Sequence, residues 1–399
     1  MSNVLLGNYS IKIGSGSTPR GGANVYLDKG NISLIRSQNI HNDGFKSNGL
    51  VYISDDAAKK LDGVTVEEKD ILLNITGDSV ARVCLAPQWV LPARVNQHVA
   101  IIRVKANDFD TRYVRYYLSS PVIQDYLLGL AASGATRNAL TKVMIEKLEL
   151  PKPELSVQKR IADILSSLDD KIALNREMNK TLESMAQAIF KSWFVDFEPF
   201  RDGEFVESEL GMIPKGWEVK SLSHDFDITM GQSPDGKTYN EDGEGIPFFQ
   251  GRTDFGFRFP SNRIYCTDPK RYAKKLDTLV SVRAPVGDMN IALEDCCIGR
   301  GLSAVRHKKS FYSFTYYLLN SIKSDFEKFE HNGTVFGSIN KTQFENLKVI
   351  IPVESVIIEF EKIVNSIDEQ IYNLSSEIQS LSTLRDTLLP KLLSGEIEV

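Results

Sequence analysis

The sequence predicts an α+β protein made of two tandem repeats. Each repeat is a mixed α/β globule followed by a long helix, and the two helices are expected to pair as an antiparallel coiled coil. Three observations predict this. Apolar residues recur every three or four positions from 161 to 189, interrupted at Asn175 and Asn179, and again without interruption from 360 to 388, the ~3.5-residue period of a coiled-coil seam. The two runs superpose without a gap, since 360 − 161 = 199 and 388 − 189 = 199. The flanking text repeats too: Tyr116-Tyr117-Leu118 returns as Tyr316-Tyr317-Leu318, and residues 133–153 match 332–352. Two copies of one unit commonly pack about a pseudo-two-fold axis, which would set the helices antiparallel. At ~1.5 Å per residue, about 40 residues make a rod of roughly 60 Å.

Taken in order, residues 1–152 form the first globule. Short apolar runs bounded by Gly, Asn and Asp predict strands at Ile32–Ile35, 70–75 and Val99–Val104, and a helical pattern covers 112–128. The first long helix, 153–198, opens behind Pro153 and carries the seam Ile161, Ile164, Leu168, Ile172, Leu182, Met185 and Ile189. Asn175 and Asn179 stand where the second copy has Leu374 and Ile378. Either they are buried and fix register, or Met178 takes over the seam and both face water. Pro199 and the acidic run that follows end the helix, giving a linker at 199–212. Trp193, Phe194 and Phe197 at its close are expected to pack a domain or to form a partner patch.

The second globule, 213–351, repeats the pattern with strands at 278–282 and 302–305 and a helix over 313–329. The second long helix and tail, 352–399, carry Phe360, Ile363, Ile367, Ile371, Leu374, Ile378, Leu381, Leu384 and Leu388. Pro390 is expected to break this helix, with Gly395 available as its cap. The helices are alike whereas the globules differ in length and polar residues, so the frame is shared and the globules are tuned separately.

Composition is that of a soluble globular protein, 42% apolar and 25% charged. There is no run of about 18 uncharged apolar residues, and residues 1–10 lack a signal-peptide layout. Cys84, Cys266, Cys296 and Cys297 make no CxxC pair, which suggests reduced thiols in a cytoplasmic protein. The five histidines show no ligand spacing, so no metal site is read. Net charge is −5, but it is unevenly spread. Residues 1–150 hold 17 basic and 14 acidic side chains, and 213–351 hold 19 and 17, while 352–399 hold 3 and 9. Mildly basic globules on acidic connectors permit nucleic-acid binding.

Gly231 to Thr238 fits the phosphate-loop pattern Gly-x-x-x-x-Gly-Lys-Ser/Thr letter for letter. Such a loop must lead into a helix whose N-terminus faces the anion. Here an acidic stretch rich in Gly and Pro follows, so the match reads as a coincidence of pattern. No Gly-x-Ser-x-Gly, HExxH or Pro-Pro stretch occurs, and the chain is read as non-catalytic.

The polar loops fit DNA better. Arg36, Gln38 and Asn39 follow a predicted strand, and Gln97, His98 and Arg137 add further polar groups. The second globule offers Gln250 and Arg252 at the aligned place, then Arg283, and Arg300 where Gln97 stands. Arg suits the guanine edge and Asn or Gln the adenine edge in the major groove; singly, each is equally an ordinary solvated loop residue. The turns at Thr76-Gly77-Asp78 and Val286-Gly287-Asp288 read as a structural use of Gly.

The order globule, helix, globule, helix resembles the specificity subunit of type I restriction–modification systems. Residues 189–200, 210–222 and 384–397 are similar to that family's signature phrases, as are the Gly-containing loops at 16–19 (Ser17, Thr18, with Arg20 beyond) and 231–234 (Ser233). The first unit lacks the Ile-Pro-x-Gly-Trp-Glu prefix present at 213–218. The resemblance implies that each globule is a target recognition domain reading one half of a split double-stranded DNA site, with Ser17, Thr18, Arg20 and Ser233 joining the DNA-contact candidates. The helices would act as ruler and platform for two methyltransferase subunits that modify adenine at N6, with S-adenosylmethionine on those subunits. ATP and Mg would likewise belong to partner subunits, with ATP-driven translocation supplied by restriction subunits. The rival expectation is a coiled-coil scaffold or decoy that binds no DNA.

Overall fold

The computed structural model describes residues 3–132, 138–329 and 337–399. The chain divides into two compact units. One joins Met1–Arg176 to Ser376–Val399, and the other is Glu177–Ser375. Each unit therefore takes a globule, part of the first long helix and part of the second.

In the first unit a four-stranded antiparallel sheet runs in the order Ser10–Ser15, Val99–Val104, Ile71–Asn74, Val83–Leu85. A second sheet runs in the order Val51–Ile53, Ile32–Ile35, Ala93–Val95, Thr65–Val66, and its middle pair is parallel. Successive strand residues point to opposite faces, and both faces here are apolar. Ile71, Leu73, Ala100 and Ile102 pack toward the helices, whereas Leu72, Val99 and Ile101 join Ile35 and Val95 in a separate core. A fully buried aliphatic side chain contributes about 1.5–3 kcal/mol, so this central strand pair anchors the unit.

The second unit builds the same plan. Its antiparallel sheet is Phe226–Met230, Leu302–His307, Thr278–Ser281, Met289–Ile291. Its mixed sheet pairs Ile246–Phe249 with Cys296–Ile298 in parallel, with Tyr272–Ala273 at one edge. In the first unit Asn3–Leu5 pairs antiparallel with Glu149–Pro151, and in the second Glu218–Ser221 pairs likewise with Lys348–Ile351. The different N-terminal wording of the first unit thus gives the same pairing.

Several expectations need correction. The helix expected over 112–128 is two helices, Thr111–Ser119 and Pro121–Ala132. Proline disfavours the helical region for the residue before it, and Ser120 is extended at φ −67°, ψ 145°. The helix expected over 313–329 is likewise Tyr312–Ser321 and Lys323–Glu327, broken at Ile322. Pro390 does not end the second long helix, which runs Glu354–Ser394. Pro390 and Asp386 are both exposed, so water can satisfy the carbonyl of Asp386 that the proline cannot. Gly395, at φ +79°, makes the left-handed stop. The Gly77 and Gly287 turns take positive φ, +77° and +92°.

The first long helix is Leu155–Phe194. In each unit its residues pack antiparallel to the second. Leu165 shares a core with Leu389 and Leu392 in one unit, and Phe190 shares one with Phe360 and Val364 in the other. The seam phase differs at two places. Ile164 and Ile363 are 37% and 44% exposed, while Leu165 and Val364, one residue on, are fully buried. Steps of 4-3-4 and 3-4-4 keep the same mean period, and an apolar residue stands at both choices, so spacing alone could not separate them. Met185 is exposed for the same reason, with Ala186 buried beside it, whereas Leu384 is exposed next to Arg385, which reaches Asp169 at 2.9 Å.

Asn175 and Asn179 are buried and Met178 is 42% exposed, which favours the buried reading. Asn175 donates to Glu377 Oε2 at 2.8 Å in the first unit, and Asn179 donates to Ser375 Oγ at 3.1 Å in the second. Phe194 lies in the second unit's core with Trp217, and Trp193 and Phe197 pack against it.

Each unit also ties its globule to both helices through a buried charge. In the second, Arg258 is 1% exposed. It contacts Glu183 Oε2 at 2.6 Å on the first helix and Asp368 Oδ1 at 2.9 Å on the second. Its guanidinium lies 3.9 Å from the Tyr316 ring centroid, and Tyr317 OH joins the cluster. Burial pushes the Glu183 carboxyl up, against the pull of Arg258. In the first unit Asp169 holds Arg115 at 3.2 Å, Arg385 at 2.9 Å and Tyr116 OH at 2.8 Å. The aspartates obey the 199 register (368 − 169 = 199). The tyrosines that reach them are 201 apart (317 − 116 = 201), so the Tyr-Tyr-Leu match is one residue out of structural register.

Candidate nucleic-acid interface

Five chain segments meet at one end of each pair of sheets, held by the same backbone hydrogen bonds in both units. In the first, Gly16 N donates to Val99 O, Ser17 N to Val95 O, Asn96 N to Ile35 O, Ile75 N to His98 O and Leu140 N to Ile75 O. In the second, the corresponding bonds run from Gly231 to Leu302, Gln232 to Ile298, Gly299 to Phe249, Val282 to Gly301 and Ile339 to Val282. All ten span 2.8–3.3 Å. The loop glycines are required by close approach. A Cβ on Gly16 would stand 1.8 Å from Val95 O, and one on Gly231 would stand 2.2 Å from Gly299 O. The frame brings the sequence-predicted residues Thr18, Arg36, Gln97 and His98 to one end of the first globule, and Ser233, Gln250, Arg252, Arg283 and Arg300 to one end of the second.

The two ends differ in how their side chains are committed. In the first unit, Arg36 Nη2 and Gln38 Nε2 both donate to Gly49 O, at 2.5 and 3.1 Å, and the Arg36 guanidinium lies 5.4 Å from the Tyr26 ring. Thr18 Oγ1 bonds Gln97 Oε1, Gln97 Nε2 meets His98 Nε2 at 2.9 Å, and His98 Nδ1 meets Thr76 Oγ1 at 2.5 Å. Ser17 and Arg20 are exposed. Asn39 is not available to a ligand. It is fully buried, its oxygen accepts from Arg36 N, and its amide donates to the carbonyls of Lys46 and Asn48. Its role is to shape the loop. Arg137 lies outside the described residues.

In the second unit Arg283 and Arg300 are exposed and form the wall between two open hollows. One, about 360 Å³, is also lined by Met230, Ser338 and Asn340. The other, about 260 Å³, is lined by Gln250, Arg252, Thr253 and Ser281. Arg252 is drawn toward Asp288 at 2.6 Å, which also takes Lys323 at 2.9 Å. Ser233 Oγ accepts from Arg300 N at 3.3 Å, fixing the base of that arginine. Planar guanidiniums that flank an open hollow can present paired N–H groups to an acceptor edge or a phosphate.

Sequence reasoning missed the residues that brace these loops. Asn74, fully buried, donates to Ser37 O and Ser79 Oγ at 2.8 and 3.1 Å. Ser281 accepts from Asp288 N and donates to Pro285 O. It also missed the buried Arg258 and the aspartates beneath, although the 199-residue register already paired Asp169 with Asp368. The phosphate-loop pattern forms no nucleotide cradle. Gly236–Thr238 is a single 3-10 turn capped by Asp235, and it leads into the strand Tyr239–Asn240.

Two domains of one architecture, each gathering polar loops of different sequence on one frame, fit a tandem recognition protein. The model of the type I restriction modification DNA specificity domain matches residues 11–184 and again 214–378, and the chain belongs to that family. It is 27% identical over 408 residues to the type I restriction enzyme MjaIX specificity subunit of Methanocaldococcus jannaschii, covering 97% of this chain and 91% of that one. It is 32% identical over 310 residues to a second protein of that archaeon, provisionally named the MjaX specificity subunit, covering 76% and 72%. The crystal structure of the type I restriction-modification S subunit from M. genitalium shares the fold, with a TM-score of 0.59 at 17% identity over 98% of this chain and 96% of that one. Among the described residues no helix is long and apolar enough to cross a membrane.

Proposed function

We propose that the chain is the non-catalytic, sequence-reading subunit of a type I restriction–modification complex. Each globule reads one half of a bipartite double-stranded DNA target. The long helices set the spacing of the halves and carry two methyltransferase subunits, which flip and methylate adenine at N6. Restriction subunits complete the assembly.

The observation that carries this reading is the frame built twice with different side chains at its tips. Gln97 stands where Arg300 stands, and Arg36 where Gln250 stands. A scaffold or decoy has no use for two globules of one backbone plan whose exposed ends differ. We assign base reading to Gln38, Gln97, Gln250, Arg283 and Arg300, with the arginines directed at guanine. Arg252, Ser17, Arg20 and Ser233 contact the phosphate backbone.

Long-read mapping of modified adenines, in a host with and without this chain alongside its methyltransferase, tests the proposal. The expected result is one split motif, methylated on both strands, that disappears with the chain. Methylation that persists without the chain, or a motif without a split, would overturn it.

A further inference from the structure

The edge of the mixed sheet reverses its charge between the two globules. In the second, the edge strand Tyr272–Ala273 lies antiparallel to Cys296–Ile298, within the run Lys270-Arg271-Tyr272-Ala273-Lys274-Lys275. All of these but Ala273 are exposed. In the first, the edge strand Thr65–Val66 lies antiparallel to Ala93–Val95 and leads into Glu67 and Glu68.

Three details place the edges in one register. Lys274 N donates to Asp277 Oδ2 at 2.7 Å, as Glu67 N does to Asp70 Oδ2 at 2.7 Å. Asp277 is bridged by Arg306 Nε at 2.5 Å, as Asp70 is by Arg103 Nε at 2.7 Å. Leu276 and Lys69 both take positive φ, +71° and +64°. Every pair differs by 207 (274 − 67 = 207), except the bridging arginines (306 − 103 = 203). Lys274 and Lys275 thus stand where Glu67 and Glu68 stand.

The basic edge continues the candidate interface. Arg271 O accepts from Ile298 N at 3.0 Å, two residues before Arg300. Lys270 and Arg271 therefore lie at the hollow end of the sheet, and Lys274 and Lys275 lie further along the same edge. Asp268 holds Lys270 at 2.6 Å, but among the described residues Arg271, Lys274 and Lys275 carry no ion pair. Tyr272, 53% exposed, stands between them. On the first globule the edge carries carboxylates where the second carries lysines, and the cations beside them are paired: Arg103 meets Glu67 at 2.5 Å and Lys69 meets Glu68 at 3.6 Å.

We infer that this edge of the second globule is a phosphate-binding lane that grips the DNA backbone beside the half-site, and that the first globule has no counterpart. The inference rests on the DNA-reading function proposed above. It adds an asymmetry: the second half-site supplies most of the sequence-independent, salt-sensitive affinity. Backbone contacts position the duplex and carry no base information. Each neutralised phosphate steepens the dependence of log K on log salt by about 0.9.

The test uses the full chain in complex with its methyltransferase partner and a fluorescent duplex carrying the mapped motif, titrated from low to high salt. The double exchange Lys274→Glu with Lys275→Glu installs the first globule's residues at exposed positions. It is expected to weaken binding at least tenfold, to the same extent on cognate and mismatched duplexes, and to lower the salt slope by about 1–2. Arg300→Ala is the contrasting variant, expected to weaken cognate binding selectively. If the parent complex binds DNA and Arg300→Ala impairs it, while the lysine exchange leaves affinity and slope unchanged, the lane is refuted and the recognition reading stands. If the parent complex binds no DNA, both fall.

Discussion

At the residue scale, the buried arginine and carboxylate clusters decide how firmly each globule is held to its helices. Arg258, itself 1% exposed, bridges the largely buried carboxylates of Glu183 and Asp368. Removing one partner of a buried pair leaves an uncompensated charge, which typically costs about 3–5 kcal/mol. Arg258→Met should therefore lower the urea midpoint of the second unit's transition strongly. Arg258→Lys should rescue little, because an ammonium cannot both stack on Tyr316 and bridge two carboxylates. Glu361 gives a pH-dependent counterpart. Burial pushes its carboxyl up to about 7, opposed by the hydrogen bond from Phe314 N and reinforced by the charge of Asp368. A glutamate whose folded pKa is raised favours the protonated native state, so its contribution is fully present below the ordinary glutamate pKa and lost as pH rises through about 7. Glu361→Gln keeps the acceptor for Phe314 N and removes the titration. The variant should match the parent at pH 4 and exceed it by roughly 1–3 kcal/mol at pH 8, as read by thermal melts at both values.

At the scale of elements, the seam phase separates neighbours that the sequence treats alike. Leu165→Ala should cost about 2–5 kcal/mol, since it opens a cavity among Ile161, Leu389 and Leu392. Ile164→Ala, at a position 37% exposed, should change stability by less than about 0.5 kcal/mol. Equal losses in equilibrium unfolding would restore the phase first expected. The existence of both helices and their 199-residue register was legible because a long amphipathic run repeats its signal many times. The phase was not, because Ile164 and Leu165 are both apolar and only the partner surface chooses between them. The break at Ser120 had a visible cause in Pro121. The break at Ile322 had none, and Pro390, a visible breaker, breaks nothing because its side of the helix faces water.

For the whole molecule, the duplicated frame makes recognition modular. Exchanging residues 213–351 for the same span of a relative should change one half of the methylated motif and leave the other half intact, as read by adenine mapping. A change in both halves would contradict separate reading. The sequence exposed this modularity, because loops that differ between two copies stand out against helices that agree. It could not show that Asn39 is spent on its own loop or that Arg252 is drawn to Asp288. Such commitments depend on which backbone carbonyls and carboxylates happen to face a side chain, and no spacing rule carries that.

The division of the chain has a consequence for how the molecule is made. The second unit is one uninterrupted stretch, Glu177–Ser375, whereas the first is closed by Ser376–Val399, which brings Arg385, Leu389, Leu392 and Leu393 to its core and its buried charge. Domains tend to fold as their residues emerge from the ribosome. Here the globule synthesised first must wait with an exposed apolar face until residues 376–399 arrive, while the globule synthesised second can close before it. The order of birth and the order of completion are reversed.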